Sequence, residues 1–252
     1  MRIDGQSRQL NFLIDENESI GADGANAQGP NVIWMIDYVL NTHGCEDLSC
    51  TIHADNCPGQ NKNQFVIGYC AWRVLTRRHT SIEYMMQVPG HSRCLVDSGF
   101  AHIKKLYRRS DCDTIQQLKD IVNKSSTANE AVRYPTWRWR DWKTFLSTSF
   151  KAIPGIRKYQ YFRFDSSRPG TVFAKKATDL PEEEFFIMKH RELPSAEPCL
   201  IKPAGLSENR VKYLYRTVRP FVRPCYQDIT VFTQLSTKHN TFCIGQGLRS
   251  VY

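Results

Sequence analysis

The chain has 252 residues, with 41% hydrophobic, 12% aromatic and 23% charged residues, an ordinary globular composition that excludes a wholly disordered or fibrous chain. No apolar run reaches the ~18–20 residues that a membrane span requires, and the opening Met1-Arg2-Ile3-Asp4-Gly5-Gln6 lacks the apolar core of a secretory signal. The net charge of +9 is unevenly placed: residues 1–100 carry 7 Lys and Arg against 11 Asp and Glu, whereas residues 101–176 carry 17 against 6. An acidic first part joined to a basic middle suggests an anion-binding surface, with nucleic acid as the first partner to consider.

Nine cysteines form no C-x-x-C pair, which argues against a disulfide framework and against paired zinc ligands. They read as reduced thiols of an intracellular protein. Leu10-Asn11-Phe12-Leu13-Ile14 is a strand ending in the turn Asp15-Glu16-Asn17. Gly21, Gly24, Gly29 and Pro30 punctuate a loop before Val32, Met35, Ile36, Val39 and Leu40, whose spacing predicts a helix stopped by Gly44. Cys50-Thr51-Ile52-His53-Ala54 reads as a strand that delivers Asp55 at its carboxyl end, and a helix follows from Asn61 to Arg77. Ile82 to Val88 is another strand, and Asp97 stands before a helical stretch marked by Phe100, Ile103, Leu106 and Tyr107. Ile115 to Val122 adds a short helix.

This alternation predicts an α/β layer over residues 9–109 with at least partly parallel strands. Ligands in such sheets gather beyond the carboxyl ends of the strands, where Asp55 and His91 fall. Residues 131–176 change in texture, with eleven Lys and Arg, two acids and eleven aromatics. There Lys158 to Phe164 reads as a strand, while Trp137, Trp139 and Trp142 read as core rather than as base-stacking platforms. Pro181, Pro194, Pro198 and Pro203 space out a linker. Ser207 then caps a short helix, and 229–252 reads as an irregular tail. The expected domains are therefore a core at 1–130 and a smaller, basic, β-containing appendage with its linker and helix at 131–228.

The most unusual segment is His53-Ala54-Asp55-Asn56-Cys57-Pro58-Gly59-Gln60-Asn61-Lys62-Asn63. A carboxylate at a strand end suits a hard cation such as Mg²⁺ or Mn²⁺. Asn56, Gln60, Asn61 and Asn63 would orient bound water or contact a phosphate. The structural alternative is that Asp55 and Asn56 cap the turn while the later amides cap the helix. Asp97 and His91 fall near the same strand edge, where two carboxylates could hold metal ions for phosphoryl transfer. Asp97 as a helix cap and His91 as a loop residue bonded to backbone is the corresponding structural alternative.

Asp55-Asn56-Cys57-Pro58-Gly59-Gln60-Asn61-Lys62-Asn63 resembles the D-N-C-x-G-Q-N-K-N block of a eukaryotic domain family that looks transposase-derived, with an RNase H-like core of the DDE superfamily. The likeness extends through Gly24-Ala25-Asn26-Ala27, Gly90-His91-Ser92 with Asp97, Ile153-Pro154-Gly155-Ile156 and Arg219-Pro220-Phe221, over residues 9–228. It implies an RNase H-like mixed sheet flanked by helices and lacking its first strands. It also implies catalytic roles for Asp55, Asp97 and His91, with metal on the two acids. The first acid of such a site has no counterpart here, since Asp4 and Asp15 stand in the wrong places, so the expectation is a nuclear, DNA-associated domain that is inactive or incomplete. The alternative is a non-catalytic nucleic-acid-binding or protein-interaction module. Its expected nucleic-acid surface is Lys104, Lys105, Arg108, Arg109, Arg138, Arg140, Lys143, Arg157 and Lys158.

Overall fold

The computed structural model describes residues 1–20, 30–44, 48–87, 94–190 and 197–231. The expected loop at 21–29, His91 with its neighbours and the tail beyond Val231 lie outside these residues. The described chain is mixed α/β, with seven α-helices and two sheets.

The larger sheet begins with β3 (Ser49–Ala54), α2 (Gln64–Leu75) and β4 (Ser81–Met86), a parallel crossover as the alternation predicts. Helix α1 (Pro30–Thr42) packs on α2, and α2 packs on β4. Nine consecutive α2 residues, Val66 to Val74, are buried, so this helix is central to the core. It starts at Gln64 rather than Asn61 because the Asn63 side chain accepts from the N–H groups of Phe65 and Val66 and fixes the first turn.

β6 (Tyr161–Asp165), β7 (Thr171–Lys175) and β8 (Glu183–Phe186) extend this sheet in the order β3-β4-β6-β7-β8, all antiparallel after β4. Gly170, at φ +78°, closes the turn into β7, where a side chain would meet Met188. The β-containing appendage expected from residue 131 is thus no separate module. Its strands pair with β4, and its tryptophans fill the common core. Trp142 opens α5 (Trp142–Ser149) and meets Tyr69 edge-on at 5.0 Å, and Trp34 of α1 meets Trp139 at 4.4 Å. The boundary at 130/131 reflects composition only: basic residues occupy the outward positions while the intervening aromatics are buried.

The expected single layer over residues 9–109 also divides. β1 (Arg2–Ile3), β2 (Arg8–Leu13) and β5 (Asn129–Arg133) form a second sheet in the order β1-β2-β5, with β2 and β5 parallel. The separation follows from what β2 buries. Gln9 and Asn11 are both buried, and they find amide partners on β5 and at the start of α3 (Leu95–Tyr107), not on β3. Helix α4 (Ile115–Ser125), capped by Thr114, leads into β5. Ser207 caps α6 (Glu208–Tyr213) as expected, and a short α7 (Gln227–Thr230) follows. No helix among the described residues is long and apolar enough to cross a membrane.

One shared core predicts one unfolding event. Trp142→Ala removes a side chain only 1% exposed and should cost about 3–5 kcal/mol. Far-ultraviolet dichroism and tryptophan fluorescence should shift together on denaturant titration of wild type and variant. Two separated transitions would restore the independent appendage.

Candidate functional site

Asp55 follows β3 at its carboxyl end and is exposed. Its Oδ1 accepts from the backbone N–H of Cys57 at 3.3 Å and from the Asn61 side chain. The loop itself winds on the Cys57 carbonyl, which accepts from the N–H groups of Gln60, Asn61 and Lys62. Asn63 donates to the Gln60 carbonyl at 2.9 Å while capping α2. Asp55, Asn61 and Asn63 are therefore spent on building the strand-to-helix turn.

Gln60 is half-buried, and the other two, Asn56 and Lys62, reach across to the turn before β6. Lys62 is only 2% exposed, and its ammonium donates to the Arg157 carbonyl at 3.2 Å and to Gln160 Oε1 at 3.3 Å. Asn56 donates to the same Gln160 oxygen at 3.1 Å. From β4, the Tyr84 hydroxyl donates to the Asn61 carbonyl at 3.0 Å. Burial lowers the pKa of Lys62. Burial, with a smaller push from Cys70 and Asp55, raises that of Tyr84 well above the ordinary phenol value. Lys62, Gln160 and Tyr84 are site residues that the sequence pattern does not reveal. The one cation amid the amides is a signal for Lys62, but its partners lie more than ninety residues away and leave no local pattern.

Asp97 lies in the first turn of α3, and its Oδ2 accepts from the N–H of Cys94, with the thiol within 3.5 Å. This is the helix-capping alternative. Among the described residues no side chain hydrogen-bonds to both Asp55 and Asp97, and no three His, Cys, Asp or Glu side chains come together as a metal would require. His91, expected beside these two acids, lies outside the described residues.

The expected basic residues fall in three places. Lys104, Lys105, Arg108 and Arg109 stand exposed at the C-terminal end of α3, a helix with no buried residue. Arg157 and Lys158 are exposed on the 3-10 turn that Lys62 ties to the Asp55 loop. Arg138 and Lys143 are exposed around the start of α5. Arg140 differs: it pairs with Glu197 at 2.7 Å and donates to the Pro198 carbonyl at 3.0 Å. Its charge is already compensated by the fold.

Residues 35–179, more than half of the chain, match the family model described as a domain of unknown function, DUF7869. The chain belongs to this family. Its matched region runs from α1 through β7 and holds both the Asp55 loop and the basic helix. No curated protein and no solved structure matches the chain.

Lys62→Met should lower stability by about 1–3 kcal/mol, the range for leaving buried acceptors unsatisfied. Amide exchange should then quicken at Arg157–Gln160 more than in β7. The pH dependence has a definite sign. Because the folded-state pKa of Lys62 lies below its unfolded value of 10.5, the unfolded chain binds the extra proton between the two, and stability rises with pH across that alkaline window. The Met variant should lack this rise when the two denaturation curves are compared.

Proposed function

We propose that this chain is a nucleic-acid-associated domain of transposase ancestry, acting in the nucleus and binding phosphate backbones without cleaving them. The observation that carries the reading is helix α3. Its last turns and the residues just after them present Lys104, Lys105, Arg108 and Arg109 to solvent, none in an ion pair among the described residues. Phe100 and Tyr107 of the same helix are 45% and 48% exposed. Two cations in a last turn would complement the helix dipole. Four with exposed aromatic rings exceed that need and suit phosphates flanked by bases. Arg157 and Lys158 supply a second cationic point, and the Lys62 clamp fixes the backbone that carries them.

The RNase H-like ancestry draws support from the β3-α2-β4 crossover, which sets Asp55 at a strand's carboxyl end. Non-catalytic binding is favoured because Asp55 Oδ1, Asn61 and Asn63 are engaged in the turn and Asp97 in a helix cap. A second reading, phosphoryl transfer on DNA, rests on the exposure of Asp55, whose Oδ2 has no hydrogen-bond partner among the described residues.

Two measurements separate these readings. Duplex DNA binding should weaken steeply with salt and depend little on sequence. Replacing Lys104, Lys105, Arg108 and Arg109 with Gln should reduce the slope of log K against log salt by about 0.9 for each phosphate that is no longer neutralised. Arg140→Gln should leave that slope unchanged. A folded quadruple variant with the wild-type slope would move the surface elsewhere. In a plasmid-nicking assay with Mg²⁺ or Mn²⁺, wild type and Asp55→Asn should both stay at background. Wild-type nicking abolished by Asp55→Asn would establish the phosphoryl-transfer reading instead.

A further inference from the structure

We propose that α3 holds a single strand of nucleic acid, its bases laid on one row of the helix and its phosphates on the next, and that the chain favours unpaired over duplex nucleic acid. The proposal rests on the nucleic-acid reading of α3 and names the form of nucleic acid which that surface takes.

The helical period sorts the side chains of α3 into rows. Ile103 and Leu106 are half-buried, on the side that carries Gly99, which lies against Gln9 of β2. Next round the helix come Phe100 and Tyr107, 45% and 48% exposed. They stand one above the other, two turns and about 10 Å apart along the axis. The row beyond them holds the exposed Lys104 and Arg108, with Ala101 and Asp97 toward the N-terminal end. Arg108 keeps helical dihedrals, so the row continues through it. Lys105 and Arg109 lie further round. A shallow cavity of about 470 Å³ bridges the two rows, lined by Asp97, Phe100, Ala101 and Lys104. Its volume is in the range of small-ligand clefts, enough for an unstacked base and its sugar over Phe100.

An aromatic row beside a cationic row discriminates between forms of nucleic acid. Base faces are open to stacking only where bases are unpaired and unstacked. In a duplex each face is covered by the next pair, and a helix docked there meets base edges and backbone. Phosphate contacts gain affinity in either form, whereas exposed rings gain it only from a single strand. Every base has a π face, so such stacking tolerates any sequence. Charge complementarity selects nucleic acid as the occupant rather than an apolar protein surface. The four cations form no ion pair among the described residues, and an uncharged partner would cover them without compensating them. Asp97, the one acid of α3, is at the far end from them and caps the first turn.

The test uses the full chain and fluorescence anisotropy with three labelled oligonucleotides of equal length. One is a thymidine homopolymer, the second an abasic strand with the same sugar–phosphate backbone, and the third a mixed-sequence duplex. At one low salt concentration the thymidine strand should bind about tenfold or more tighter than the abasic strand, the gain expected from stacking at least one base. It should also bind tighter than the duplex. Phe100→Leu with Tyr107→Leu keeps apolar bulk and helix propensity at two exposed positions, so the melting curve should not move. That double variant should bind the thymidine strand no better than the abasic one, with abasic and duplex affinities unchanged. Equal binding of the thymidine and abasic strands by wild type overturns the inference and leaves phosphate binding in place. Tighter binding of the duplex does the same, as does a folded double variant that keeps the preference for bases. Absence of binding to all three overturns the nucleic-acid reading itself, and this inference with it.

Discussion

Burying Arg73 constrains the rest of the molecule. Its guanidinium sits on α2, inside the core and 2% exposed, where an unpaired charge would cost several kcal/mol. The fold supplies the partners. Asn41 accepts at 2.8 Å and Asp37 at 3.3 Å from α1, the Tyr69 hydroxyl accepts at 3.0 Å one turn earlier, and His79 Nδ1 accepts at 3.2 Å just before β4. These bonds fix α1 on α2 and fix the entry into β4. With α2 held at that depth, its first turn must begin at a set point, and Asn63 provides the cap. The chain between Ala54 and Asn63 then has to cover the step from strand to helix in a few residues. The amide-rich block answers that requirement.

This explains why a polar segment that resembles a ligand site is largely self-satisfied. Asn63 and Asp97 both cap helices, and Asn61 is turned onto Asp55. Capping alone does not account for Lys62. A buried ammonium needs oxygen partners, and it takes a carbonyl and a side-chain amide from the turn before β6. That interaction binds the two halves of the larger sheet at the end where Asp55 emerges.

Much of this is legible locally. The β3-α2-β4 crossover, the position of Asp55, and the caps at Asn63 and Ser207 follow from period, turn residues and side-chain chemistry. The pairing of strands does not. β2 joins β5 across more than a hundred residues, and nothing in Leu10–Ile14 distinguishes that partner from β3. β6 shows why the composition change at residue 131 misleads. Phe162 and Phe164 are buried in the common core, while the alternate residues Tyr161 and Arg163 face Glu83 and Glu182. Counting charge along the sequence sees the outward set alone. β8, with two acids in four residues, reads as linker unless its neighbour β7 is known.

The way α3 is attached completes the division between core and surface. The helix buries no side chain, and it meets the smaller sheet through amides: Gln9 donates to the Val96 carbonyl at 3.3 Å and Asn129 to the Gly99 carbonyl at 3.1 Å. Gly99 is what permits this approach, because a side chain there would overlap the Gln9 carboxamide. An element held by polar contacts and by α4, without an apolar face in the core, gains little from hydrophobic burial. Of its apolar residues, Ile103 and Leu106 are half-buried, whereas Leu95, Phe100 and Tyr107 stay exposed. Among the described residues Phe100 and Tyr107 stay exposed and the four cations form no ion pair, which separates them from Arg73, Lys62 and Arg140, whose charged groups have partners within the fold. The proposed nucleic-acid reading rests on this uncompensated charge, which makes α3 the exposed counterpart of the buried α2.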